Sequence, residues 1–206
     1  MPWHAKQTGA YLKESTEAYD NALMAYGILS SRGFTLPAFC GMWGNVQSES
    51  GYNPFRWQSD IVLPVGDPRI DYQNGHAYGL VQWDPASKYI NGGSSYPGYD
   101  PNYSDRSGSP NDGSAQMIFL DATAVSSGQY IPSASYNLSY TQYKAASIDT
   151  YSIDYLTRAW FYNYERGTWD SGRVTAAQYW YDTLGGIVHD KIPIWLMFKL
   201  KEVNRF

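Results

Sequence analysis

Residues 36–48 carry the strongest structural instruction in the chain. Ala38, Phe39, Met42, Trp43 and Val46 recur at helical spacing, which gives one helix a continuous apolar face. Thr35 is placed to cap its start, and Pro37 is tolerated in its first turn. Gly41 and Gly44 leave room for another backbone to approach closely. Gly51 and Asn53-Pro54 are breakers, so the helix should stop near Ser48–Ser50. A helix this apolar has to be buried by whatever else the chain forms.

The rest of the chain supplies mostly helices. Ser15 or Thr16 can cap a helix running to about Ser31, ended by Gly33. Residues 55–83 are punctuated by Gly, Pro and Asp around short β-prone pieces such as Ile61-Val62-Leu63, which predicts a small twisted hairpin or sheet with long loops. Asp84-Pro85 signals a short helix over Ala86–Ile90, and 91–111 reads as a long exposed loop. Further helices are expected at about 112–127, 139–147, 152–165 and 172–184, the last ending at Gly185-Gly186. The fold class expected is α+β, mostly α. Residues 1–14 read as a polar lead-in, 15–186 as the folded domain, and 187–206 as an apolar tail. That tail, with Ile192 to Phe198 apolar nearly all round, either packs back on the domain or docks a partner.

With 206 residues there is enough chain for one domain with a full core. Charged residues make up only 17%, while Tyr and Trp number 20 and 8. Most of those rings should fill the core, and some could line a groove, where flat amphipathic rings stack on sugar faces. The net charge of −4, with no basic stripe, speaks against nucleic acid. Cys40 is the sole cysteine; in an apolar helix it reads as a small buried hydrophobe, not an activated thiolate. His4, His76 and His189 are scattered without metal-ligand spacing, so neither metal nor cofactor is expected. No apolar run is long enough for a membrane span, and Met1-Pro2-Trp3-His4 does not read as a signal peptide.

Glu49 stands where acid chemistry is best supported. A carboxylic acid delivers a proton near neutral pH only if its pKa is raised, usually by partial burial beside apolar groups. At the end of a buried helix its backbone is fixed, and the negative end of the helix dipole disfavours the carboxylate. The segment Gly44-Asn45-Val46-Gln47-Ser48-Glu49-Ser50-Gly51-Tyr52-Asn53-Pro54 resembles the catalytic motif of the lysozyme superfamily, and Ala77-Tyr78-Gly79-Leu80-Val81-Gln82-Trp83 resembles its strand motif. Cys40-Gly41 through Ser50, Gly79 through Ser87, and Tyr164-Glu165-Arg166 follow in the order seen in tail-associated lysozymes of bacteriophages, and the resemblance covers roughly residues 15–184.

That resemblance implies a mostly helical lysozyme-like fold whose glycan groove lies beside a small β element. It implies a muramidase carried in the phage virion tail, acting on peptidoglycan strands of the host wall and assembled with other tail proteins. It carries the acid role onto Glu49, puts Tyr78, Gln82 and Trp83 near the groove with Tyr164 lining it, and leaves Leu80 and Val81 to the core. Glu165 is expected to be a structural carboxylate paired with Arg166 or a backbone donor. The departure is at Ala77, where hen-type lysozymes carry an Asp. Asp60, Asp67 and Asp71 lie in the intervening loops, with Asp60 the first candidate for a base. The alternatives are a lone-Glu mechanism like that of lytic transglycosylases, and a structural or glycan-binding tail-tip protein without activity.

Overall fold

The computed structural model describes residues 2–7, 10–12 and 15–190, with side chains to residue 185. Its helices are α1 (Thr16–Ser30), α2 (Leu36–Ser50), α3 (Ser87–Gly92), α4 (Asp112–Thr123), α5 (Tyr140–Lys144), α6 (Ile153–Trp160) and α7 (Gly172–Asp190).

The apolar helix is the centre of the molecule. Thr35 caps α2 by accepting from the Ala38 amide, and Gly51 ends it in the left-handed conformation at φ 54°. α2 packs chiefly on α6 and α7, and α1 packs on α4. The two glycines allow this. A Cβ on Gly41 would lie 2.9 Å from the carbonyl carbon of Leu156 in α6, and one on Gly44 would lie 2.5 Å from the carbonyl oxygen of Arg173 in α7. Phe39 stacks on Trp43, Trp43 on Tyr52, and Trp180 of α7 meets Tyr52 edge-on. The abundance of aromatic residues thus serves the core first. Cys40 is fully buried, and burial pushes its thiol pKa up, the setting of an inert thiol.

Several expectations need correction. The predicted hairpin or sheet over 55–83 does not form as strands. Among the described residues, pairing is confined to isolated antiparallel bridges, Trp57 with Tyr78, Tyr78 with Trp83, and Tyr103 with Arg106. Short 3-10 turns at Gln58–Asp60 and Pro68–Asp71 bend the chain, and Ser59 and Asp60 both have positive φ, so no ladder propagates. Asp84 does not cap α3, which starts at Ser87; its carboxylate accepts the Asn74 amide instead. α4 stops at Thr123, and α5 is limited to Tyr140–Lys144. The helix expected over 152–165 is α-helical to Trp160 and then widens into one π-helical turn, Phe161–Glu165. α7 runs through Gly185-Gly186 to Asp190; of the expected tail, 191–206 lies outside the described residues.

The N-terminal segment is also more than a lead-in. Trp3 and Leu12 are buried. Asn53, next to the end of α2, donates to the carbonyls of Lys6 and Ala10, and Asn21 donates to that of His4. No helix among the described residues is long and apolar enough to cross a membrane.

Candidate functional site

α2 delivers Glu49 to a cavity of about 270 Å³. The segment after Leu80 contributes Val81, Gln82, Trp83 and Asp84, α3 contributes Lys88, and Gln129 adds an amide. Tyr164, Glu165 and Arg166 enter from the π-helical turn and the residue that ends it. A second cavity of about 420 Å³ adjoins the first, sharing Trp83, Lys88, Gln129 and Tyr164 with it and adding Phe119, Thr123 and the hydroxyls of Ser126 and Ser127 to its lining. Together they make an extended depression with one end lined by charges of both signs and a more apolar other end.

α4 holds the 79–84 wall in place. Gly79 sits at φ 88°, where a Cβ would meet the Gln116 side-chain oxygen at 2.7 Å. That oxygen accepts the Leu80 amide at 2.7 Å, while the Gln116 amide donates to Pro54 O and to Asp112. Asp112 is fully buried and gathers four donors: Tyr89 Oη at 2.6 Å, Tyr78 Oη at 3.2 Å, Gln116 Nε2 at 2.7 Å and the Asp100 amide at 2.9 Å. Burial raises its pKa to about 6 although all four donors pull it down.

Of the residues singled out from sequence, the cavity brings together Glu49, Gln82, Trp83 and Tyr164. Gln82 is held in its own turn at φ 49°, its amide donating to Arg56 O and Gly79 O. Trp83 stacks on Tyr89 with ring centroids 4.9 Å apart, and Tyr164 stacks on Trp160 at 4.5 Å. Tyr78 is not at the cavity. It is fully buried, and its hydroxyl is used by Asp112 and by the Asn102 amide. Asp60 is not there either; its side chain is 65% exposed and pairs with Arg56. Asp67 closes its own turn with Arg69, and that contact lowers its pKa to about 2. Asp71 is exposed at the end of a 3-10 turn.

Glu49 meets a cation where an apolar wall was expected. Its Oε1 accepts from Arg173 Nη2 at 2.8 Å, with 21% of the Glu49 side chain exposed against 7% for Arg173. Arg173 also donates to Asn45 O and Oδ1 and lies 5.0 Å from the ring centre of Phe161. Gly44 makes this possible, because the α7 backbone could not otherwise touch α2 at Arg173. Asn45 is fixed in turn, donating to Gly41 O and Thr157 O.

Glu165 is paired differently from expectation. Its Oε1 accepts from the Trp160 indole at 3.0 Å, not from Arg166 or a backbone donor. Burial first, and the charge of Glu49 second, hold its carboxyl well above the usual carboxylate range, against the pull of Trp160, Arg173 and Arg166. Sequence reasoning missed Arg173, which lies 124 positions from Glu49 with no local signal. It missed Asp84 because an Asp before a Pro reads as a cap. Among the described residues, no group of three or more His, Cys, Asp or Glu is arranged to hold a metal ion.

The sequence profile of the phage tail lysozyme family matches residues 20–184. Morphogenesis protein 1 of Bacillus phage B103 is 32% identical over 187 residues, covering 89% of this chain and 44% of that protein. The chain therefore spans less than half the length of that relative.

Proposed function

The chain belongs to the phage tail lysozyme family, and from that membership we propose that it is a muramidase, cleaving the β-1,4 bond between N-acetylmuramic acid and N-acetylglucosamine with Glu49 as general acid. Membership in this family makes it a protein of the phage virion tail that acts on the host wall. Peptidoglycan strands are its substrate in this reading, and other tail proteins its neighbours.

One observation carries the reading: Glu49 projects from the end of the central helix into a cavity that adjoins a longer depression. A glycan laid along it puts a glycosidic oxygen within reach of Glu49, with the edges of Trp83 and Tyr164 beside the sugar rings. Glu49 gives its proton to the leaving oxygen, and the C–O electron pair goes to that oxygen. Arg173 stabilises the carboxylate that remains, since its guanidinium is already aligned on Oε1. Asp84, fixed by the Asn74 amide, enters the same cavity from the 81–84 segment. It takes the place sought for Asp60: it holds the attacking water and accepts its proton.

The test is Glu49→Gln, which keeps shape and hydrogen bonding but has no proton to give. Solubilisation of purified peptidoglycan should fall about 10²–10⁴-fold with circular dichroism unchanged. Near-native turnover by a folded variant would remove the assignment. Mass spectrometry of the products separates the chemistries: reducing muramic ends mark hydrolysis, and anhydromuramic ends mark a lytic transglycosylase. A wild-type protein that binds walls but releases nothing would be a tail-tip protein without activity.

A further inference from the structure

We propose that the cleft between α1 and α7 is a second glycan-binding site, which holds a peptidoglycan strand to the protein without using the Glu49 cavity. The proposal rests on peptidoglycan being the substrate, and it adds a place where the strand is held but not cut.

The cleft has a volume of about 830 Å³, within the range of sites that enclose small ligands. Tyr19 enters it from α1, Gln47 from α2, and Thr175, Tyr179 and Trp180 from α7, with Tyr52 following the end of α2. Positions 47 and 49 lie about 200° apart around a helix of 3.6 residues per turn. α2 therefore turns Gln47 to this cleft and Glu49 to the other cavity. Among the described residues the two cavities share no lining side chain.

The lining has a buried floor and an exposed rim. Trp180 and Tyr52 are buried, whereas Tyr179 is 58% exposed and meets Trp180 edge-on with ring centroids 5.1 Å apart. Trp180 Nε1 donates to Tyr52 Oη at 2.6 Å, and that hydroxyl donates to Gln47 Oε1 at 3.1 Å. This relay fixes the Gln47 amide with its oxygen on Tyr52 and leaves its N–H groups for a ligand.

The chemistry of the lining selects the occupant. Among the described residues no Asp, Glu, Lys or Arg lines the cleft, so a charged partner finds no counter-charge there. An apolar segment laid in it would strip water from the Gln47 amide and the Thr175 hydroxyl without replacing their hydrogen bonds. A neutral N-acetylated sugar meets both demands: its C–H face stacks on an aromatic ring, and its hydroxyls and acetamido oxygen accept from the amide. The glycan backbone of the wall repeats such sugars. A second hold on it raises the effective concentration of substrate at Glu49.

The experiment is an NMR titration of isotope-labelled Glu49→Gln protein, which cannot turn the sugar over, with a peptide-free peptidoglycan tetrasaccharide. The indole N–H signals of Trp180 and Trp83 report the cleft and the Glu49 cavity separately, and both should shift. Tyr179→Ala in the same background should weaken the Trp180 titration about threefold to tenfold while the Trp83 titration stays in place. Tyr179→Phe, which keeps the ring, should restore it. A Trp180 signal that ignores the sugar, or that follows the Trp83 curve with and without the Tyr179 ring, overturns the proposal in favour of a protein occupant. If Tyr179→Ala does not fold, the parent titration decides: a Kd at Trp180 distinct from that at Trp83 supports the second site, and a common Kd overturns it. Binding at neither indole would remove the peptidoglycan reading itself, a separate outcome.

Discussion

Arg173 donates to Glu49 at 2.8 Å and thereby joins the first turn of α7 to the last turn of α2. The contact depends on Gly44, whose missing side chain lets the carbonyl of the same Arg173 rest on α2. Core packing and site geometry therefore share one pair of helices.

Gly44→Ala should expose that dependence. The new Cβ would lie 2.5 Å from Arg173 O and 2.6 Å from the Ala177 Cβ, and backbone cannot give way as a flexible side chain can. The expected loss is about 1–3 kcal/mol, together with reduced activity as Arg173 moves from Glu49. Gly75→Ala, with nothing within 4 Å, is the control and should stay within about 0.5 kcal/mol. Thermal melts and wall solubilisation of both variants check the pair; equal behaviour would contradict the account.

Arg173→Met should cost both stability and rate. It leaves Asn45 O and Oδ1 without their donor and Glu49 without its cation. The unsatisfied groups correspond to about 1–3 kcal/mol, and the rate should fall because the carboxylate formed on proton donation has lost its partner. Urea titration and kcat measure the two effects separately. Full activity in a destabilised Arg173→Met would restrict Arg173 to a packing role.

The choice of base is decided by comparing Asp84→Asn with Asp60→Asn. Asp84 lines the Glu49 cavity, whereas Asp60 is exposed and tied to Arg56. Asp84→Asn should lower kcat about 10²-fold or more, and Asp60→Asn should stay within about twofold, as expected for the loss of a surface ion pair. The reverse order of effects would return the base to the sequence-based candidate.

Asp112 should make stability depend on acidity. Its folded pKa of about 6 exceeds the ordinary value of 3.8, so the folded chain binds its proton more tightly than the unfolded chain. That contribution is fully present below about pH 4 and is lost as pH rises through about 6. A difference of this size corresponds to about 3 kcal/mol. Asp112→Asn should flatten the melting curve between about pH 4 and about pH 7; parallel curves for variant and wild type would show that Asp112 is not the group responsible.

The motif around Glu49 was readable because the signals that start and stop its helix are local. Thr35 caps the helix, Gly51 ends it, and the apolar face between them buries it. Tyr78 was misjudged by the same local reasoning. It stands in the motif that forms the cavity wall, two residues before Leu80, yet its ring turns inward to Asp112 on α4, a partner that no spacing in the sequence reveals. The β element failed because the β-prone run Ile61-Val62-Leu63 says that a strand could form, while pairing requires a partner in register. The chain instead turns at Gln58–Asp60 and Pro68–Asp71.

By itself, then, the sequence determined the central helix, its two glycine contacts, the capped ends of its neighbours and the placement of Glu49 at a helix terminus. Periodicity, capping and chain termination act over a few residues, and those interactions are written in order along the chain. Tertiary structure alone decided that Arg173 would reach Glu49, that Asp84 and not Asp60 would enter the cavity, and that Glu165 would accept from the Trp160 indole. Charge pairing and desolvation depend on which groups end up within a few ångströms, and here the partners come from α2, the 81–84 segment, the π-helical turn and α7, which only packing brings together.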